Sequence, residues 1–150
     1  MPEAVAELSG NYLAPNLEGI VEFYPWKDGT LVKVEVFNLP SSKPPIDDIP
    51  PINPFAFHIH EGDSCDEPAF ETAGEHFNPT NQPHPLHVGD LPSLLSNDGY
   101  AFMSVFTNRF KPSDVLNRAV VIHLNPDDYR TQPTGDAGER IACGIIKERR

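Results

Sequence analysis

The sequence has little of several features, and each shortage excludes a class of protein. It has only two cysteines, and the histidine pattern described below needs neither as a ligand, so the chain is not a zinc finger. It has no apolar run near the ~20 residues of a transmembrane helix. Its basic residues number 11 against 22 acidic ones, so the net charge is −11. This charge argues against binding to nucleic acid or to an anionic membrane.

The N-terminal segment 1–7 also lacks the features of a targeting sequence. It has neither the basic start nor the apolar stretch of a signal peptide. We therefore expect a soluble, cytoplasmic protein, or an exported one if a leader is missing from the sequence.

Helical periodicity is equally scarce, because no stretch longer than about two turns shows it. Alternation of apolar and polar residues is commoner, and 17 prolines in 150 residues disfavour long helices. The length suits one domain spanning residues 1–150. The alternation predicts short strands near residues 5–8, 19–24, 30–37, 55–60, 100–106, 120–123 and 141–146. A short helical turn is expected at 111–116, a mostly irregular segment at 61–97 and a second long loop at 124–139. An all-β sandwich or barrel is the expected fold.

Proline is most concentrated between residues 40 and 54, where six of the 17 prolines lie. This stretch cannot be a strand inside a sheet, and a stiff, extended surface loop is expected. A spacer is the favoured interpretation. A lid or partner surface beside a metal site is the alternative.

All six histidines of the chain belong to one pattern. His58 and His60 stand two apart in an apolar run, so a strand would place both on one face. His123 ends another apolar run, and if the two strands are neighbours it can reach both. An all-imidazole site suits copper as well as zinc.

A loop between the two runs carries the remaining metal ligands. It contains His76, His84, His87 and Asp90. Three imidazoles and one carboxylate make a closed tetrahedral zinc site. A lone histidine in a strand is more often a packing or surface residue, but six with none left over favour a metal centre.

The two cysteines, Cys65 and Cys143, leave three possibilities open. They could form a disulfide, remain two free thiols or act as a ligand pair. A cytosolic location favours free thiols.

Four segments together resemble the copper/zinc superoxide dismutase family. They are Phe57-His58-Ile59-His60-Glu61, Gly74-Glu75-His76-Phe77-Asn78-Pro79, His87-Val88-Gly89-Asp90-Leu91 and residues 134–144, Thr-Gly-Asp-Ala-Gly-Glu-Arg-Ile-Ala-Cys-Gly. The similarity runs from about residue 4 to residue 146. It implies an eight-stranded, immunoglobulin-like Greek-key β-barrel or sandwich with two long functional loops.

The resemblance also implies a set of site residues. Copper would be bound by His58, His60, His76 and His123, and zinc by His76, His84, His87 and Asp90. His76 would bridge the two metals and carry a proton during turnover. Asp127 would orient His58 and His84 from behind. Arg140 would hold the substrate anion, and Cys65 and Cys143 would form a disulfide.

The expected function is dismutation of superoxide to oxygen and hydrogen peroxide, with copper and zinc as cofactors. Homodimers are common in the family. Two alternatives remain: a metal carrier or chaperone-like protein of the same fold, and a structural zinc protein that never binds copper. The full set of copper ligands favours the enzyme, because carriers of this fold usually lack one or more of them.

Overall fold

The computed structural model describes residues 1–41 and 54–150 of the chain. Most of the proline-rich segment, residues 42–53, lies outside the described residues. The spacer and lid interpretations therefore concern a part of the chain on which the fold gives no information.

The described residues form nine strands and two 3₁₀ turns, and no α-helix. The strands are Ala4–Gly10 (β1), Glu18–Trp26 (β2), Gly29–Phe37 (β3), Pro54–His60 (β4), Asp90–Leu95 (β5), Ala101–Thr107 (β6), Ala119–His123 (β7), Arg140–Ile145 (β8) and Lys147–Glu148 (β9). The 3₁₀ turns are Glu71–Ala73 and Pro112–Val115. The second of them confirms the helical turn expected at 111–116.

Alternation along the strands gives the sheet one apolar face. In β3, Val32, Val34 and Val36 are buried whereas Lys33 is exposed. Val34 lies opposite Val21 of the antiparallel neighbour β2, whose own buried residues face the same side. Because side chains alternate across a strand, these apolar sets meet inside the barrel.

The strands form one continuous sheet in the order β5-β4-β7-β8-β1-β2-β3-β6, and β9 pairs with β1. Every pairing is antiparallel. The end strands β5 and β6 lie next to each other, so the eight-stranded sheet is a nearly closed barrel. The all-β, eight-stranded prediction is confirmed.

The segment 61–97, predicted to be mostly irregular, also contains a strand that was not predicted. Its end forms β5, which pairs with β4 through Leu94 opposite Phe55 and Leu91 opposite Phe57. β5 contains Pro92, a residue type that is rare inside sheets. Proline is tolerated here because β5 ends the strand order, where a missing N–H breaks no ladder.

Strands β4 and β7 are buried on both faces, which positions the histidines. Phe57, Ile59, Val120 and Ile122 belong to the main apolar core. The alternating positions of the same strands therefore point out of the barrel, and they carry the histidines. They are nevertheless buried: His58, His60 and His123 are at most 2% exposed, because loops 61–89 and 124–139 cover them.

A disulfide joins the first of these loops to β8. It links Cys65 and Cys143, whose Cα atoms are 5.8 Å apart, so the bond expected from the resemblance is present. No helix among the described residues is long and apolar enough to span a membrane.

Candidate metal centre

His60 and His123 face each other across the gap between β4 and the end of β7. Their Nε2 atoms are 3.2 Å apart. His60 Nδ1 donates to the Gly74 carbonyl at 2.8 Å, and His123 Nδ1 donates to the Gly138 carbonyl at 3.2 Å. Each Nδ1 therefore carries the ring proton, and each Nε2 presents a lone pair. Two lone pairs directed at one another repel unless a cation lies between them.

The carboxylate of Asp127 forms hydrogen bonds with two further imidazole rings. Its Oδ2 accepts from His58 Nε2 at 2.7 Å, and its Oδ1 accepts from His84 Nε2 at 2.8 Å. The Nδ1 atoms of both rings are thereby left as lone pairs, and both are buried with no hydrogen-bond donor. The arrangement is the outer-shell carboxylate that commonly orients metal-binding histidines.

The carboxylate of Asp90 lies beside a second group of ring nitrogens. Its carboxylate oxygens lie 2.9 Å from His76 Nδ1, 3.0 Å from His84 Nδ1 and 3.1 Å from His87 Nδ1. His84 Nδ1 and the Asp90 oxygen are both acceptors, so their short separation is not a hydrogen bond. His76 Nδ1 is also 3.2 Å from His87 Nδ1, while its Nε2 is buried without a partner. His76 therefore has one nitrogen in this group and a second one free.

In the described part of the chain there are two groups of four residues. Within each group, the ligand atoms all lie within 4.8 Å of one another. The two groups are His58, His60, His76 and His123, and His58, His76, His84 and Asp90. The first group is the copper set expected from the sequence. The second has His58 where we expected His87, but the short distances from His87 to His76 and Asp90 place that ring beside the same atoms. His58 and His76 are common to both groups.

Burial keeps the central imidazoles neutral. It lowers the pKa of His58 and of His60 well below the ordinary 6.5, and charge interactions with neighbouring imidazoles lower it further. Burial lowers the pKa of His123 to about 3, although the bond to the Gly138 carbonyl acts in the opposite direction. Burial also lowers the pKa of His87, against the effect of Asp90. For Asp90 itself burial raises the pKa, but the hydrogen bond from His76 and the nearby imidazoles outweigh burial and hold it below its usual value. Neutral imidazoles and an ionised carboxylate are the forms that bind metal.

Arg140 lies at the rim of this cluster, half-buried at the start of β8. Its two terminal nitrogens donate to the carbonyls of Phe70 and Gly74 at 2.7 and 2.6 Å. The Gly74 carbonyl is the one that accepts from His60 Nδ1. Burial lowers the pKa of Arg140, while Glu71 and Glu75 act to raise it.

Several contacts that hold the site were not predicted from the sequence. Gly135, at φ 74°, leaves room for the contact between Asp127 and His84, since a Cβ there would lie 1.9 Å from Asp127 Oδ1. Arg118 donates to the Glu61 carbonyl at 2.8 Å and places its guanidinium carbon 4.6 Å from the centre of the Phe77 ring. Glu61 and Phe77 directly follow His60 and His76, so Arg118 braces the backbone beside two site histidines.

The donor set fits a pair of metal ions. Six buried imidazoles and one carboxylate direct lone pairs at common points, and three of those nitrogens have no other partner. Leaving them unpaired in a dry interior would be unfavourable. All-nitrogen donors suit copper, and nitrogen donors with one carboxylate suit zinc.

The barrel and its buried imidazole cluster define a β-barrel metalloprotein. A scan against protein families matches residues 18–146 to the copper/zinc superoxide dismutase model. The chain is 37% identical to superoxide dismutase [Cu-Zn] 1 of Aquifex aeolicus over 144 residues, which cover 86% of this chain and 79% of that protein. It is 34% identical to superoxide dismutase [Cu-Zn] of Deinococcus radiodurans over 150 residues, which cover 86% of this chain and 76% of that protein.

A solved structure shows the same architecture. The Cu/Zn superoxide dismutase from Brucella abortus aligns with a TM-score of 0.77 at 28% identity, over 97% of this chain and 100% of that one. The chain therefore belongs to the copper/zinc superoxide dismutase family. Dismutation of superoxide to oxygen and hydrogen peroxide is its activity, and copper and zinc are its cofactors. The metal-carrier alternative is not favoured.

Proposed function

We propose a division of the ligand set into two sites that share His76. Copper would be held by His58 Nδ1 and by the Nε2 atoms of His60, His76 and His123. Zinc would be held by the Nδ1 atoms of His76, His84 and His87 and by Asp90. The observation that carries this division is the 3.2 Å distance between the Nε2 atoms of His60 and His123, since each ring donates its Nδ1–H to a carbonyl and so presents a lone pair at Nε2.

Each metal brings a different chemistry when bound: copper supplies one-electron redox cycling, and zinc supplies charge without redox chemistry. His76 is the residue placed to move a proton, because its Nε2 is buried and has no protein partner. Its Nδ1 stays beside Asp90, so the ring keeps its orientation while Nε2 gains and loses a proton. Asp127 holds the rings of His58 and His84 in fixed tautomers.

Arg140 binds the superoxide anion next to the copper side. Two of its five N–H groups are used by the carbonyls of Phe70 and Gly74, which fix the plane of the guanidinium. The remaining donors are available for an anion. A small monoanion held there lies against the imidazole cluster, so binding and reaction take place at one position.

The test of the division is the His123→Ala variant. His123 contacts His60 at the proposed copper side and contacts none of the proposed zinc donors at hydrogen-bond distance in the described part of the chain. We expect copper binding and dismutase activity to be lost while zinc stays near one ion per chain. His87→Ala is the matched control, with the opposite loss. Metal content by mass spectrometry, with a superoxide assay on the same samples, is the measurement. Equal loss of zinc in His123→Ala would contradict the assignment.

A further inference from the structure

Asn11 is a buried polar residue with no part in the metal ligand set. It follows β1 and is 2% exposed. Its Nδ2 donates to the carbonyls of Pro68 and Arg140 at 2.7 and 2.9 Å. Its Oδ1 accepts from the Leu13 amide at 3.0 Å, and its own amide donates to the Ile141 carbonyl at 3.0 Å. One fully bonded side chain thus joins the end of β1, the loop 61–74 and the start of β8.

These contacts join the backbone of Arg140 to the loop that binds its guanidinium. One carbonyl that Asn11 binds belongs to Arg140 itself. The other belongs to Pro68, two residues before Phe70, whose carbonyl accepts from the Arg140 side chain. Asn11 therefore fixes the distance between the backbone that carries the guanidinium and the loop that orients it. The same loop supplies the Gly74 carbonyl, which Arg140 shares with His60.

The disulfide connects the same two segments at other points. Cys65 lies five residues before Phe70, and Cys143 lies three residues after Arg140. The Pro68 carbonyl that Asn11 binds is thus closer along the chain to Phe70 than Cys65 of the disulfide is. Phe70 adds a third contact, because its ring packs with Ala73, Val121 and Cys143 in a small apolar cluster.

We infer that Asn11 is a positioning residue for Arg140 and that it duplicates the disulfide. Either link alone keeps the loop carbonyls in reach of the guanidinium, whereas loss of both frees the loop and misplaces Arg140. The physical reason is chain entropy. Once one link holds the two segments together, the second link closes only a short loop and restricts the chain little further. The inference rests on the proposed role of Arg140 as the anion-binding residue.

The first experiment measures azide binding, as a small monoanion probe, by visible absorption of the copper- and zinc-loaded protein. Asn11→Ala is made in the native chain and in a Cys65→Ala/Cys143→Ala background. Thr30→Val is the matched control, since Thr30 is buried and donates to the Phe110 carbonyl at 2.8 Å in another part of the barrel. We expect Asn11→Ala to weaken azide binding by less than about 3-fold with the disulfide and by about 10-fold or more without it. An equal effect in both backgrounds, or one matched by Thr30→Val, overturns the inference.

Arg140→Gln separates this inference from the proposed function. If it leaves azide affinity unchanged, Arg140 does not bind the anion, and the proposed role fails whatever Asn11 does. If it weakens azide binding while Asn11→Ala is no more harmful without the disulfide, the role of Arg140 stands and the inference about Asn11 fails.

The second experiment needs neither activity nor a disulfide-free variant. Cys143 is buried and Cys65 is partly buried, so opening of the loop increases the access of a thiol reductant to the bond. We expect the Cys65–Cys143 bond to be reduced about 10-fold faster in Asn11→Ala than in the native protein, with Thr30→Val close to native. A reduction rate in Asn11→Ala that equals the Thr30→Val rate overturns the inference.

Discussion

The central histidines are neutral because they are buried, and this has a consequence for the metal-free protein. In the unfolded chain their pKa is near 6.5, whereas in the folded chain the pKa values of His58, His60 and His123 are lower. Below pH 6.5 the unfolded chain binds protons that the folded chain does not. Acid therefore favours unfolding, and above pH 6.5 these groups have no effect on stability.

We expect the free energy of unfolding of the metal-free protein to fall as the pH is lowered from 7 to 5. The slope contributed by each of the three histidines is at most ~1.4 kcal/mol per pH unit. The contribution of His123 continues down to its folded pKa of about 3. Urea titrations of metal-free protein across this range measure the slope, and His123→Phe should reduce it. A flat profile between pH 7 and 5 would show that these histidines take up protons without unfolding.

The loop that carries His84 and His87 is held to the barrel by a residue of another element. Nη1 of Arg109, which follows β6, donates to the Pro85 carbonyl at 2.8 Å and to the His87 carbonyl at 3.0 Å. Beside it, a cleft of ≈ 530 Å³ between the ends of β5 and β6 is lined in part by Asp90 and Asp127. The carboxylates of the zinc side are therefore close to solvent on the side that Arg109 holds.

We expect Arg109→Ala to accelerate zinc release by roughly tenfold, since hydrogen bonds from a charged donor to two carbonyls of the ligand loop are lost. Transfer of zinc to a chromophoric chelator is the measurement. Arg109→Lys keeps the charge but not the forked donor and should give an intermediate rate. Arg130→Ala, an exposed arginine of the other loop, is the control. Release from Arg109→Ala at the native rate would show that the metal ligands alone hold the loop.

At the scale of the whole molecule, charge opposes the approach of the substrate. The net charge is −11 and superoxide is an anion. Loop 124–139 carries one base, Arg130, against four acids: Asp127, Asp128, Asp136 and Glu139. On the other side of Arg140, Glu71 and Glu75 are near enough to affect its pKa. The local attraction therefore rests mainly on Arg140.

We expect the second-order rate with superoxide to stay level or rise as ionic strength increases from 0.01 to 0.15 M, over which the Debye length shortens from ~30 to ~8 Å. Salt screens the repelling acids as well as Arg140. Pulse radiolysis over a salt series is the measurement. Arg140→Glu should lower the rate far more than Lys33→Glu, a remote change of the same charge. A steep fall of the native rate with salt would reveal an attractive field that these residues do not account for.

The sequence alone was enough for the fold class and the family, and it predicted the residues that we propose for the site. Strand alternation fixes which side chains share a face, so His58 and His60 could be paired without coordinates. All six histidines of the chain, together with Asp90, belong to one spacing pattern. This pattern indicated a metal centre, because few other structures need it. Strand β5 was missed because Pro92 and the surrounding loop hide its alternation, and only its pairing with β4 reveals it.

Only the tertiary structure decided which atom of each ring is free. That choice depends on partners supplied by distant segments: the carbonyls of Gly74 and Gly138 for His60 and His123, and Asp127 for His58 and His84. A sequence does not show where each backbone carbonyl points in the fold, so these hydrogen-bond partners cannot be predicted from it. The role of Asn11 could not be predicted from the sequence for the same reason, because its partners are also backbone carbonyls of distant segments. In the fold, Asn11 is buried at the junction of β1, the disulfide-linked loop and Arg140.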